Sequence, residues 1–171
     1  MHYSMLLIVD ETPSKGYIGK MLYPFEDVYS YEIDRHGDRR LDSDGGRFWY
    51  NSKGVWDWYE VGGRFRCMIP ASDGMRTEYD EDFSSSPTYN RRDADQSLYD
   101  MARVDQIHVD RVNPDSWFYV LLPDGSLHER STYVWKNDDT EEVFNPEWDD
   151  FVDNFITPYM NCIAICIDIH R

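Results

Sequence analysis

A chain of 171 residues has room for one ordinary domain with its own core, and 17 Lys and Arg against 33 Asp and Glu give it a formal charge of −16. That balance excludes direct binding of duplex phosphates, which needs clustered Lys and Arg. The longest apolar runs, Met5–Val9 and Cys162–Ile167, fall far short of the ~20 residues of a membrane helix, no basic stretch precedes the first, and three cysteines cannot build a disulfide framework. The expectation is a soluble, cytoplasmic protein with no membrane partner.

Residues 3–11 read as a first strand, apolar through its centre like a strand covered on both faces. Pro13, Gly16 and Gly19 break it. Turn formers from Gly37 to Gly54 predict irregular structure, with short strands near Val28–Ile33 and Arg47–Tyr50. Residues 55–69 read as a strand pair or one bent strand, interrupted at Gly62-Gly63, where positive φ and close backbone approach are allowed. Alternation puts Trp56, Trp58 and Glu60 on one side and Asp57, Tyr59 and Val61 on the other. Pro70, Gly74, the acidic run Glu78–Asp82 and Ser84–Pro87 predict a loop excursion near 70–92. Ala94, Leu98, Met101 and Ala102 stand at helical spacing and predict a short helix over 93–104. Residues 117–135 predict a hairpin turning at Pro123-Asp124-Gly125. Asn145 as cap and Pro146 at the first position predict a helix over 146–156, with Trp148, Phe151, Val152, Phe155 and Ile156 as its buried stripe. A last strand covers 162–170. It has Ile163, Ile165, Ile167 and Ile169 on one side and Cys162, Ala164, Cys166, Asp168 and His170 on the other.

This order predicts a single α+β domain over 1–171: an antiparallel sheet with helices on one face, ferredoxin-like in outline. The last strand should lie centrally beside the first, its isoleucine face on helix 146–156.

The segment from Trp56 to Arg64 holds the best candidate ligand site. Gly62 and Gly63 would let a ligand approach the backbone, and Arg64 would grip a phosphate or carboxylate. Asp57 and Tyr59 join Arg64 as the candidate ligand-binding set, and Trp56 and Trp58 would stack a base or fill an interface pocket. The structural alternative is a buried Asp57–Arg64 pair bracing a bulge, with the tryptophans in the core. Asp168 and His170 share a strand face and would form an acid/base pair, or simply a solvated strand end. Metals are not expected. Positions four apart on a strand are ~13 Å apart, too far for Cys162, Cys166 and His170 to share an ion. The calcium-like Asp42-Ser43-Asp44-Gly45 has Arg40 and Asn51 at the loop's first and last ligand positions. No phosphate-binding loop, Gly-x-Ser-x-Gly or His-Glu-x-x-His occurs, so no catalytic residue and no cofactor is assigned.

Charge distribution bears on partners. A globule of this size is about 40 Å across, and duplex DNA of that length carries about 23 charges. A charge of −16 spread evenly is too thin to imitate DNA, so mimicry needs the acids on one face. Asp138, Asp139, Glu141 and Glu142 adjoin Glu147, Asp150 and Asp153 in sequence, and together they would make such a face. Aromatics at 16% exceed what a core needs and point to an interface or groove.

Val55-Trp56-Asp57-Trp58-Tyr59-Glu60-Val61-Gly62-Gly63-Arg64-Phe65 resembles the signature of a family of small phage and mobile-element proteins. Leu22–Glu26, Ala94–Ser97, Pro123–Gly125 and Asp168–His170 extend the likeness more loosely. Val55 stands where the family has a lysine and Phe65 where it has a tryptophan, and residues 70–90 are unlike it. The resemblance implies a phage or prophage accessory gene rather than a chemistry. Joined to the acidic face, it leads to an expected function: a phage-encoded, non-enzymatic counter-defence protein. It would bind a host defence protein in the host cytosol, a nuclease such as a CRISPR effector, and block its nucleic-acid site. The alternative is a nucleotide-signal sponge or phosphodiesterase built on Trp56, Trp58, Tyr59 and Arg64. A structural interaction module is the third reading, and homo-oligomerisation stays open.

Overall fold

The computed structural model describes residues 1–27, 29–30, 38–41, 47–51, 53–76, 95–136 and 139–171. Its strands in chain order are β1 (His2–Val9), β2 (Tyr29–Ser30), β3 (Asp38–Leu41), β4 (Arg47–Tyr50), β5 (Trp58–Val61), β6 (Ile69–Pro70) and β7 (Leu98–Tyr99). They continue with β8 (Met101–Arg103), β9 (Tyr119–Leu121), β10 (Leu127–Glu129), β11 (Ser131–Lys136), β12 (Asp139–Phe144) and β13 (Ile163–His170). Among the described residues there are two α-helices, α1 (Lys15–Leu22) and α2 (Phe151–Phe155).

Two strands apolar on both faces end up in the middle of a sheet, because only there are both faces covered. β1 and β13 fit that rule and pair antiparallel from His2↔His170 to Val9↔Ile163. The sheet runs β10-β9-β1-β13, and the outer edge of β13 is shared by two short strands. β5 pairs with residues 167–170 and β8 with residues 163–165. At their junction Gly62 N–H donates to the Cys166 carbonyl (2.8 Å) and Cys166 N–H to the Asp100 carbonyl (2.7 Å), so the ladder is continuous.

The α+β character and the central place of β13 follow the expectation. Three details differ. The sheet is mixed, because β1 and β9 run parallel. The helices lie on opposite faces, whereas a ferredoxin-like outline keeps its sheet antiparallel and its helices on one side. The isoleucine face of β13 packs on α1, through Ile18 and Leu22, not on the later helix. Phe151 and Phe155 of α2, with Trp148, instead cover the face of Ala164 and Cys166. Small residues leave room for three large rings there, and volume decides which helix covers which face.

α1 was not anticipated, since Gly16 and Gly19 read as breakers. Ser14 caps it by accepting from Tyr17 N–H (3.1 Å). A Cβ at Gly19 would lie 3.1 Å from the Tyr59 hydroxyl, so the glycine sets how closely the helix approaches β5. Helix 146–156 is shorter than predicted. Asn145 does cap, but Pro146–Trp148 is a 3₁₀ turn, and only Phe151–Phe155 is α-helical.

The predicted helix 93–104 does not form over its described part. Asp95 accepts from both the amide and the hydroxyl of Ser97 (2.9 and 2.6 Å), which fixes a turn, and β7 and β8 follow. The open edge of β13 competes successfully for Met101–Arg103. The predicted hairpin stops at β10. β11 leaves the sheet and pairs with β12 in a separate ribbon. The excursion at 70–92 is described only to residue 76, where Ala71 and Met75 bridge to Ile107 and Met101. The run Glu78–Asp82 and the calcium-like loop Asp42–Gly45 lie outside the described residues. No helix among the described residues is long and apolar enough to cross a membrane.

Candidate functional site

The face of β13 that carries Ala164 and Cys166 turns polar towards the strand end. The register lines up Ser4, Asp168 and Glu60 in one row, and His2, His170 and Trp58 in the next. Asp168 is only 1% exposed and uses both carboxylate oxygens. Oδ1 meets His2 Nδ1 at 2.8 Å, and Oδ2 accepts from Arg64 N–H at 2.9 Å. The turn that brings Arg64 there needs its glycines: φ is +76° at Gly62 and +49° at Gly63. A Cβ on Gly63 would fall 2.5 Å from Asp168 Cβ. The glycine pair therefore admits a carboxylate from the same chain.

The brace expected of Asp57 and Arg64 thus exists in another form. The buried acid is Asp168, and the donor is the backbone of Arg64, whose side chain is exposed. Asp57 is exposed and holds His170 instead, Nδ1 to Oδ1 at 2.8 Å. Asp168 and His170 do not pair with each other. Each belongs to a separate His–Asp dyad. An ionised carboxylate only accepts, so both imidazoles carry their proton on Nδ1 when neutral. The two rings stand 5.0 Å apart between centroids, at 65°. Trp58 meets His2 edge-on at 6.1 Å.

The predicted aromatic platform is divided. Trp56 is fully buried against Phe25, centroids 5.6 Å apart, in the core on the α1 side, and stacks nothing from outside. Trp58 is exposed and Tyr59 half-buried. With Lys15 and Ser14 they line a groove of about 450 Å³ between β5 and the start of α1.

The acids expected on one face are divided, and those of the described stretch 139–142 lie on a ribbon rather than beside a helix. β11 and β12 form a two-stranded ribbon whose residues are exposed at every described position except Ser131. The register puts Tyr133, Trp135 and Phe144 on one face, with Glu142 and Thr140. Tyr133 is 70% exposed, Trp135 72% and Phe144 62%. The other face carries Val134 and Val143 with Lys136, Glu141 and Asp139. Glu141 pairs with Lys136 at 3.1 Å, and Glu142 accepts from the Ser131 hydroxyl at 2.6 Å.

Glu147 is committed at the root of this arm. It meets His128 Nδ1 at 2.8 Å and accepts from the Asn145 amide at 3.1 Å. The bond to His128, more than that to Asn145, holds its carboxyl below the ordinary value. Asp150 and Asp153 are exposed around α2. Asp138 lies outside the described residues. Sequence reasoning located the acids but passed over Tyr133, Trp135 and Phe144, whose period-2 spacing beside Glu141 and Glu142 was the available signal. It also passed over His2. Among the described residues, no group of three or more His, Cys, Asp or Glu is placed to hold a metal ion.

No protein-family model, curated protein or solved structure matches the chain.

Proposed function

We propose that this chain is a non-enzymatic binding protein that docks its acidic, aromatic arm on a basic surface of a partner protein and keeps nucleic acid off that surface. The setting we propose is a phage accessory protein acting on a host defence nuclease. The arm carries the reading: three large aromatic side chains point outward from one face of a ribbon bordered by carboxylates. An exposed aromatic face marks an interface, and Trp and Tyr are the usual anchors of one. Asp139, Glu141 and Glu142 on the arm, with Asp150 and Asp153 nearby in sequence, would steer it to a cationic site, which in a nuclease is where the phosphates go.

The test is stopped-flow association with a partner captured from host lysate, at several salt concentrations, with labelled duplex as competitor. Charge reversal of Asp139, Glu141 and Glu142 to Lys should slow association. Trp135→Ala should speed dissociation, and duplex should compete. Arm variants that bind like wild type, or simultaneous binding of duplex and chain, would refute the proposal.

A second reading, capture of a nucleotide, rests on the groove of Trp58, Tyr59 and Lys15. It predicts that Trp58→Ala abolishes binding of a cyclic nucleotide while arm variants retain it. Binding that survives Trp58→Ala would remove it.

A further inference from the structure

We infer that His2 and His170 form a bidentate chelate for one divalent first-row transition ion of the zinc, nickel or copper kind. The two residues come from opposite ends of the chain and are direct partners across the antiparallel pair β1–β13, on the same face of the sheet. Directly opposed side chains start about 5 Å apart at Cβ, which is the reach of a shared ligand.

The ring separation fits an ion. With metal–nitrogen bonds of about 2.0–2.1 Å and a tetrahedral angle, two imidazoles bound to one zinc have centroids about 5 Å apart. The observed separation is 5.0 Å. Each ring is also anchored as metal-binding histidines usually are, its other nitrogen donating to a carboxylate that fixes the tautomer. Asp168 does this for His2 and Asp57 for His170, both at 2.8 Å. Nδ1 is thereby engaged on both rings, leaving Nε2 as the coordinating atom. In the structure His170 Nε2 faces the Met1 nitrogen at 3.3 Å, and a bound ion takes that nitrogen's place.

Charge decides between this and an anionic ligand. Two imidazoles alone would also suit a phosphate, yet a protein of net charge −16, with Asp168 and Glu60 in the adjoining row and Asp57 bonded to His170, repels phosphate and attracts cations. Imidazole nitrogen selects the borderline transition ions over magnesium and calcium, which take oxygen. Two side-chain ligands leave the remaining positions to water, so the site is an open chelate. Along one strand, the rise per residue keeps Cys162, Cys166 and His170 too far apart to share an ion. Across two strands the geometry is short.

The experiment is calorimetric titration of the full chain with Zn²⁺ alone, read together with imidazole ¹⁵N spectra. One equivalent should bind, shifting the Nε2 resonances of His2 and His170 and leaving their Nδ1 protons in place. His170→Gln should weaken binding at least tenfold, with the metal-free urea midpoint unchanged, since His170 lies at the exposed end of the strand. Asp57→Asn should weaken it about tenfold by loosening the ring. Binding by His170→Gln equal to wild type would overturn the inference, as would shifts confined to the other histidines. So would loss of binding only on charge reversal of Asp139, Glu141 and Glu142, which would place the ion on the arm.

Discussion

Gly63→Ala tests the account of the sheet end most directly. Two costs arise at once. At φ +49° an alanine sits in left-handed backbone, which costs about 1–2 kcal/mol. Its Cβ would also lie 2.5 Å from Asp168 Cβ and 2.6 Å from Oδ2. Asp168 is buried and must retreat, stretching its bonds to Arg64 N–H and His2. Hydrogen bonds to a charged group are worth about 1.5–3 kcal/mol each. With both bonds lost, the combined cost is about 4–8 kcal/mol, a large part of the 5–15 kcal/mol typical of a whole domain. Gly125→Ala is the control: φ is +84° there, but open space surrounds the Cβ, so only the backbone cost of about 1–2 kcal/mol applies. Urea unfolding of both variants, followed by far-UV circular dichroism, gives the comparison. A third variant closes the cycle, because Gly63→Ala placed in an Asp168→Gly background, which removes both the carboxylate and the clashing Cβ, should cost no more than Gly125→Ala. If Gly63→Ala costs no more than Gly125→Ala in the parent chain, the glycine is not there for Asp168 and the reasoning fails.

Phe151→Ala removes a buried ring of the core on the α2 side and should cost about 3–5 kcal/mol in urea unfolding; a loss under about 1 kcal/mol would mean the ring is not packed. Replacing Tyr133, Trp135 and Phe144 by Ala together should leave the unfolding midpoint nearly unchanged and improve solubility, because these rings are largely exposed; a large loss of stability would show that the arm is part of the fold. Glu147 has a carboxyl depressed chiefly by His128, so its contribution is present above its ordinary value of 4.5 and is lost as pH falls through the folded value. The melting-temperature gap between wild type and Glu147→Gln should accordingly close on acidification, and a gap that widens would contradict the pairing. Burial and the neighbouring Asp10 push Tyr17 up to about 12, so Tyr17→Phe should delete a step near pH 12 from an ultraviolet pH titration. Deletion of a step near pH 10 would refute that environment.

β1 and β13 were legible because a run apolar on both faces has one stable place in a sheet. The turn at Pro123–Gly125 was legible for the same kind of local reason: its chemistry lies within three residues. Which helix covers which face was not, because alternation in β13 separates Ile165 and Ile167 from Ala164 and Cys166 without saying what covers either. That choice depends on the volumes of Phe151 and Phe155, which enter only in three dimensions. The 93–104 stretch misled because Leu98, Met101 and Ala102 suit both a helix and a pair of short strands. The open edge of β13 settles the matter. At the site, the signature residues stood out in the sequence, but their partners did not. Asp168 and His2 reach the glycine turn from the two ends of the chain, and no local spacing encodes such a meeting.

The arm sets a quantitative limit on how the proposed inhibition can work. Burying one large apolar side chain is worth about 1.5–3 kcal/mol, so Tyr133, Trp135 and Phe144 together supply roughly 5–9 kcal/mol. Association itself costs about 4–15 kcal/mol in lost freedom of motion. The aromatic face alone therefore comes close to breaking even, and a stable complex needs either the flanking carboxylates or more of the protein surface. Salt separates these cases. If Asp139, Glu141 and Glu142 close the gap, the dissociation constant rises steeply between low and physiological ionic strength, where charges are screened within about 8 Å. If further apolar surface closes it, affinity holds across that range and only the association rate falls. The first outcome identifies a cationic pocket as the target. The second places the nucleic-acid site beside the docking surface rather than under it, with exclusion by bulk, and an arm shortened to a two-residue turn would then retain part of its affinity while losing all competition with duplex.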